Sequence, residues 1–176
     1  MTSTSLQIGT AAPDFAARIG QGPIQFHQWL GDAWGVLIFQ SGPAAASIWA
    51  IAKRRDQFSR RAARVLTIAA DASAARIEAP VATDPVGEIA SLYRLADADT
   101  ADTSIVHVID PSRKVRLVLT YPANADLDFD EIIRGIGRLQ MIDAHDSKNP
   151  AKYWRANEET SARVAAVLSE HLSLPV

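Results

Sequence analysis

The sequence predicts an α/β domain in which helices flank a central mixed sheet. Short apolar runs with the length of buried strands alternate with stretches of helical spacing. Two further apolar runs flank a turn at Asp110–Arg113, which indicates a hairpin. The 176 residues are 48% hydrophobic and 22% charged, as expected for a chain that buries one core of ordinary size.

The first two thirds of the chain predict strands and helices in alternation. The continuous apolar run Gly35–Phe39 predicts a buried central strand, and the alanine-rich stretch Ala44–Arg64 favours a helix. Val65–Ala70 is the next predicted strand. Pro85–Leu95 carries apolar residues at i, i+3, i+4 and i+7 spacing and therefore predicts a second helix.

The last third predicts a hairpin and a long helix. The strands of the hairpin are Ile105–Ile109 and Val115–Tyr121. Asp128, with Glu131 three positions later, suits a helix start at which both carboxylates bond free backbone amides, and the helix continues through Leu139. This order of elements is that of a thioredoxin-like sheet, parallel in the centre with an antiparallel pair at one edge.

Several segments also carry recognisable motifs. Ile8–Phe15 matches the pattern G-x-x-A-P-x-F, and Phe26–Phe39 is similar to F-H-D-F-L-G-D-x-W-G-I-L-F. Tyr121–Pro122, Phe129–Arg134 and Trp154 follow in the same order as Y-P, F-D-E-I-L-R and P-x-x-W. Together these segments resemble the one-cysteine subfamily of the peroxiredoxins. The resemblance implies a thioredoxin-like peroxiredoxin core in residues 1–156. The longer C-terminal domain typical of the subfamily is expected to be reduced here to a short helical extension in residues 157–176.

The chemistry of that family is missing, because the 176 residues contain no cysteine. Reduction of a peroxide requires a thiolate of low pKa to attack the O–O bond, and no other side chain substitutes for it. The sequence therefore predicts that the chain is not a thiol peroxidase.

The family's catalytic loop corresponds to residues 40–50, and its register stays open. One alignment places Ile48 at the cysteine position, a second places Ala44 there and a third places Ala50 there. Ser104 and Leu127 stand where the family has two arginines. Loss of the nucleophile and of both cations indicates that this site has been put to another use.

The predicted site is a vestigial pocket around this loop. Without cations to meet an anion, such a pocket favours an uncharged apolar ligand. Two of its serines could bond a ligand or could equally cap the helix that follows. No catalytic residue is assigned, and the predicted ligand-binding residues are Ser41, Pro43, Ala44, Ser47, Ile48, Trp49 and Ser104.

Other charged and polar features have plain structural explanations. The basic stretch Lys53–Arg64 favours a solvated face over a nucleic-acid site. Three aspartates at residues 126, 128 and 130 lack the glycine and distal glutamate of a calcium loop. The four histidines are not paired at ligand spacing, so no metal site and no cofactor are expected. Strand alternation puts His107 on the face opposite Ser104, which favours a structural histidine over a catalytic base.

Two functions fit this pattern. The first is a non-catalytic module that binds a small apolar molecule or a protein partner through the vestigial pocket. The second is a thiol-independent accessory enzyme of metabolism that uses serine hydroxyls to orient a substrate, although the sequence names no base for it.

Composition and resemblance also indicate the setting. The net charge of −2 points neither to nucleic acid nor to an anionic membrane. No apolar run approaches the roughly 20 residues needed to span a bilayer, and the first residues lack the pattern of a signal peptide, so the cytoplasm is expected. The resemblance implies a homodimer.

Overall fold

The computed structural model describes residues 6–40, 45–70, 80–95 and 103–148. The chain divides into two units, Met1–Gly137 and Arg138–Val176. The first unit holds the sheet and the described residues of the predicted site, which are Ser47, Ile48, Trp49 and Ser104. In the second unit, residues 138–148 are described and are helical. The predicted boundary after residue 156 lies outside the described residues.

A five-stranded mixed sheet forms the centre of the first unit, with the strand order β5-β4-β3-β6-β7. The middle strand β3 is buried along its length except at its last residue, which explains its uninterrupted apolar sequence. β3, β4 and β5 are parallel, whereas β6 is antiparallel to both β3 and β7. The strands are β3 (Trp34–Gln40), β4 (Ala63–Ala69), β5 (Val81–Thr83), β6 (Thr103–Ile109) and β7 (Val115–Pro122).

Five helices accompany the sheet in the described ranges, and the predicted central mixed sheet flanked by helices is confirmed. The start of the last helix has the predicted cap, since the Asp128 carboxylate accepts a hydrogen bond of 2.9 Å from the Glu131 backbone amide. The Glu131 carboxylate, which was also expected to bond a backbone amide, instead accepts a hydrogen bond of 2.9 Å from the Tyr121 hydroxyl. The helices are α1 (Phe26–Leu30), α2 (Ala45–Lys53), α3 (Arg55–Arg60), α4 (Glu88–Leu92) and α5 (Phe129–Lys148).

Alternation along β6 separates two buried layers. Ile105 and Ile109 belong to the apolar cluster that also holds Phe15, Phe26 and Tyr93. Val106 and Val108 lie on the other side of the strand, which faces α5. Val108 pairs with Leu117, and a Cβ added at Gly135 of α5 would lie 2.9 Å from Cδ2 of that leucine, so helix and strand approach closely there.

The structure differs from the sequence prediction in the first helical stretch. One helix was predicted over Ala44–Arg64, but α2 and α3 are separate, and Arg54 between them leaves the helical region with φ −105° and ψ 9°. The chain then turns at Ala62, which has φ 48°, and β4 begins two residues earlier than predicted. Pairing of Trp34 with Ala63 in the parallel ladder decides this start.

Four short elements are absent from the sequence prediction. An antiparallel pair, β1 (Ala16–Ile19) and β2 (Gly22–Gln25), precedes the five-residue helix α1, and β5 extends the sheet beyond β4. The Asp14 carboxylate joins the hairpin to α1, because it accepts hydrogen bonds from the Gln25 side chain and the His27 backbone amide, both at 2.8 Å. These elements are too short to show a clear periodicity in sequence.

Candidate functional site

The predicted site residues on α2 lie at different depths. Ser47 is 7% exposed and Ile48 is fully buried, whereas the Trp49 indole is 62% exposed. Successive residues on a helix point about 100° apart, which explains how neighbours reach the core and the solvent. Ser41, Pro43 and Ala44 lie outside the described residues.

Neutral side chains occupy the two positions at which the resemblance places arginines. Ser104 is 3% exposed on β6, and Leu127 before α5 is 8% exposed. Ser104 pairs with Tyr121 of β7, and it shares the α5-facing side of the strand with Val106 and Val108. Neither position therefore provides a charge for an anionic ligand.

His107 lies on the opposite side of the sheet, as strand alternation predicts. Its ring centroid is 5.8 Å from that of Phe39 and 5.5 Å from that of Tyr93, and none of the side chain is exposed. Burial lowers the pKa of His107 from 6.5 to about 4, so the imidazole is neutral at pH 7. Because the sheet lies between them, this imidazole cannot accept a proton from the Ser104 hydroxyl.

A tyrosine hydroxyl completes the surroundings of His107. Tyr93 donates a hydrogen bond of 2.9 Å to the Pro13 carbonyl oxygen. Burial raises the pKa of Tyr93, and the charge of Asp14 raises it further, so the hydroxyl stays protonated. The side chains of His107 and Tyr93 are therefore both uncharged, and their role is structural.

The cations of the basic stretch on α2 and α3 are exposed, except for the half-buried Arg54. Arg54 donates two hydrogen bonds to the Asp130 carboxylate, at 2.9 Å and 3.1 Å, and its guanidinium carbon is 6.0 Å from the centroid of the Phe129 ring. The hydrogen bond raises the pKa of Arg54 and lowers that of Asp130. The pair ties the junction between α2 and α3 to the start of α5.

One cavity of about 330 Å³ lies at the carboxyl ends of β3 and β4. Its lining includes Phe39, Gln40, Ile68, Thr103 and Asp84. The Asp84 carboxylate accepts a hydrogen bond of 2.9 Å from the backbone amide of Ala90. None of the described members of the predicted site lines this cavity.

A second cavity, of about 420 Å³, lies between α1, α2, α3 and β4. Its lining includes two arginines, an indole and an apolar group of side chains, but again none of Ser47, Ile48, Trp49 and Ser104. The vestigial pocket stays a prediction, because three of its seven residues lie outside the described ranges.

Sequence reasoning missed the second cavity, which we call the Trp29 cavity, after the indole in its lining. Trp29 and Arg64 are 35 positions apart, yet Arg64 donates a hydrogen bond to the Trp29 carbonyl oxygen and its guanidinium carbon lies 5.7 Å from the ring centroid. The signal available in sequence was the basic stretch itself, but without the fold nothing connected it to α1.

The chain is similar to solved structures of peroxiredoxins. A yeast mitochondrial 1-Cys peroxiredoxin superposes with a TM-score of 0.69 at 28% identity, over 79% of this chain and 78% of that one. A cysteine-to-serine mutant of peroxiredoxin 6 from Arenicola marina gives 0.67 at 25% identity, over 77% and 74% of the two chains. The chain is a peroxiredoxin-like protein.

Curated relatives of this peroxiredoxin-like protein agree with the structures. The mitochondrial peroxiredoxin PRX1 of Saccharomyces cerevisiae is 29% identical over 87% of this chain and 69% of its own length. A 1-Cys peroxiredoxin of Medicago truncatula is 24% identical over 87% and 81% of the two chains. No protein-family model matches the sequence. The thioredoxin-like peroxiredoxin fold expected from sequence is confirmed, in a chain that contains no cysteine.

Residues 6–40, 45–70, 80–95 and 103–148 contain neither a membrane-spanning helix nor a cluster of metal ligands. No helix there is long and apolar enough to cross a bilayer. No three side chains among the histidines, aspartates and glutamates of those ranges come together as metal ligands.

Proposed function

We propose that the protein is a non-catalytic, peroxiredoxin-like binding module that does not reduce peroxides with thiol donors. The absence of cysteine from all 176 residues carries the proposal. Without a thiolate no sulfenic acid forms, and the catalytic cycle has no first step. The buried, neutral Ser104 and Leu127 support it, because they provide no cation to orient a peroxide.

A steady-state peroxidase assay tests the loss of activity. The full chain is given hydrogen peroxide or an organic hydroperoxide with a thiol or thioredoxin donor, beside a cysteine-containing one-cysteine peroxiredoxin as the positive control. We expect no donor-dependent turnover. Met141 is 72% exposed and can form its sulfoxide, but that reaction stops after one equivalent. Sustained turnover at even a modest fraction of the control rate would refute the proposal.

The second part of the proposal is the occupant of the vestigial pocket. The region around Ser47, Trp49 and Ser104 binds an uncharged apolar molecule, or the apolar surface of a protein partner. Burial of an unpaired anion costs several kcal/mol, so charged ligands are disfavoured where both arginines are absent. The exposed Trp49 indole offers an apolar contact beside the buried Ser47 and Ile48.

Tryptophan fluorescence tests this binding. The chain has four tryptophans, so Trp49→Phe serves as the control for the origin of the signal. An apolar ligand that covers the exposed indole should shift the emission to shorter wavelength and raise the melting temperature of the unmodified chain. If no apolar ligand in a broad panel changes either quantity, the small-molecule role fails. The protein-partner role is tested next, by comparing the binding of a protein partner to the unmodified chain with its binding to Trp49→Phe.

The thiol-independent enzyme gains no support from the described residues. A serine nucleophile needs a base within hydrogen-bond reach. His107 lies across the sheet from Ser104, and it is held neutral by burial among aromatic rings. We therefore retain the binding module as the single proposal.

A homodimer belongs to the same proposal. β7 is an edge strand of eight residues, and its unpaired backbone groups can join a second copy edge to edge. Twofold assemblies are the commonest in soluble proteins. Light scattering at micromolar concentration should give twice the chain mass of 19.0 kDa. A monomer throughout that range would contradict the proposal.

The cytoplasm is the proposed compartment. The sequence pattern favours it, whereas the yeast relative carries the description mitochondrial. Fractionation of cells that express the tagged chain decides between the two locations.

A further inference from the structure

The Trp29 cavity is lined by charged, aromatic and apolar side chains, and it is distinct from the vestigial pocket. We propose that it binds an organic carboxylate, with the carboxylate held by Arg55 and Arg64 and the apolar body packed beside Trp29. The observations that support this ligand class are the charge of the lining, the fixed position of the indole and the apolar floor.

The two arginines give the pocket its charge. The Arg55 side chain has no hydrogen-bond or ion-pair partner among the described residues, and it is exposed beside the cavity. Arg64 commits one N–H to the Trp29 carbonyl oxygen and keeps further donors of its planar group for a ligand. Among the described residues, no aspartate or glutamate lines the cavity. Arginine is the side chain best suited to pairing with a carboxylate.

The indole is held in place from two directions. Trp29 is half-buried, and its ring centroid lies 6.3 Å from that of Phe26 with the two planes 26° apart. The guanidinium carbon of Arg64 lies 5.7 Å from the indole centroid. A preordered aromatic wall lowers the entropic cost of binding an apolar body.

The floor of the cavity is apolar. Ile51 of α2, Phe58 of α3 and Val65 of β4 line it, and each is less than 10% exposed. Its volume of about 420 Å³ falls within the range of small-molecule sites. An apolar floor combined with two cations selects an amphipathic anion over a neutral hydrocarbon or a bare inorganic ion.

Isothermal titration calorimetry on the full chain tests the proposal with three probes. Octanoate has both the head and the apolar body, octanol has only the body, and inorganic phosphate has only the charge. We expect octanoate to bind with one site per chain, and the other two probes to bind at least about tenfold more weakly. Octanoate affinity should fall as salt is raised, because exposed charges are screened.

Matched variants locate the site. Arg55→Gln removes a cation that the described residues leave unpartnered, so the fold is retained, and we expect octanoate affinity to fall by about tenfold. Arg60→Gln, an exposed arginine on the same helix that does not line the cavity, should bind as the unmodified chain does. Trp49→Phe should also bind normally, which separates this site from the vestigial pocket.

Three outcomes would overturn the inference. Octanol could bind as tightly as octanoate, which would make the cavity merely apolar. Arg55→Gln and Arg60→Gln could weaken binding equally, which would indicate general charge attraction. Octanoate could show no saturable binding at all, with the melting temperature unchanged.

Discussion

Replacement of His107 by glutamine should remove a large part of the acid sensitivity of the fold. The imidazole is fully buried between the rings of Phe39 and Tyr93, and its pKa falls from 6.5 to about 4 on folding. Between those pH values the unfolded chain binds a proton at this histidine that the folded chain does not bind. Protonation therefore favours unfolding as the pH falls through this window.

The size of the effect follows from the difference in pKa. Each pKa unit corresponds to about 1.4 kcal/mol, so the shift from 6.5 to about 4 is worth about 3 kcal/mol. This contribution is fully present above pH 6.5 and is lost by about pH 4. For a chain of this length the loss corresponds to a decrease in melting temperature of about 6–12 °C.

Urea denaturation at a series of pH values between 7 and 4 measures the contribution. His107→Gln has a lower free energy of unfolding at pH 7, because the substitution disturbs a packed site. Between pH 7 and 4, however, the unmodified chain should lose about 3 kcal/mol more than the variant does. His145→Gln, at an exposed position on α5, is the control and should follow the unmodified chain. Equal losses for His107→Gln and the unmodified chain would refute the burial argument.

Two further substitutions probe the hydrogen bonds of the first unit. Asp110→Ala removes the acceptor for Ser112 (2.6 Å), the Lys114 amide (3.0 Å) and Arg116 (3.0 Å), and should cost about 2–3 kcal/mol in urea denaturation, with Arg116→Ala as the second arm of a double-mutant cycle. Burial alone would raise the pKa of Asp110, but these hydrogen bonds outweigh burial and lower the pKa below its ordinary value of 3.8. The stabilisation should therefore be lost as the pH falls below 3.8 and the carboxylate is protonated. Tyr93→Phe removes one hydrogen bond to a backbone carbonyl and should lower the free energy of unfolding by about 1 kcal/mol; an unchanged value would show that this bond contributes nothing.

The sequence determined the features that depend on local pattern. The apolar run around Gly35–Phe39 predicted the central strand, the turn after Asp110 predicted the hairpin, and Asp128 predicted the start of α5. In each case the signal is the type and spacing of residues within one run or turn, so the local sequence carries the information. The absence of cysteine is likewise a property of the sequence, and it removes the peroxidase chemistry whatever the fold.

The tertiary structure decided everything that depends on distant neighbours. The break at Arg54 coincides with its pairing to Asp130, which is 76 positions away, and no local propensity indicates that partner. The neutral His107 requires aromatic rings from β3 and from the end of α4. The Trp29 cavity requires an indole and an arginine from separate elements. Burial and desolvation arise only when such segments pack together, so pKa shifts and cavities cannot be obtained from residue spacing along the chain.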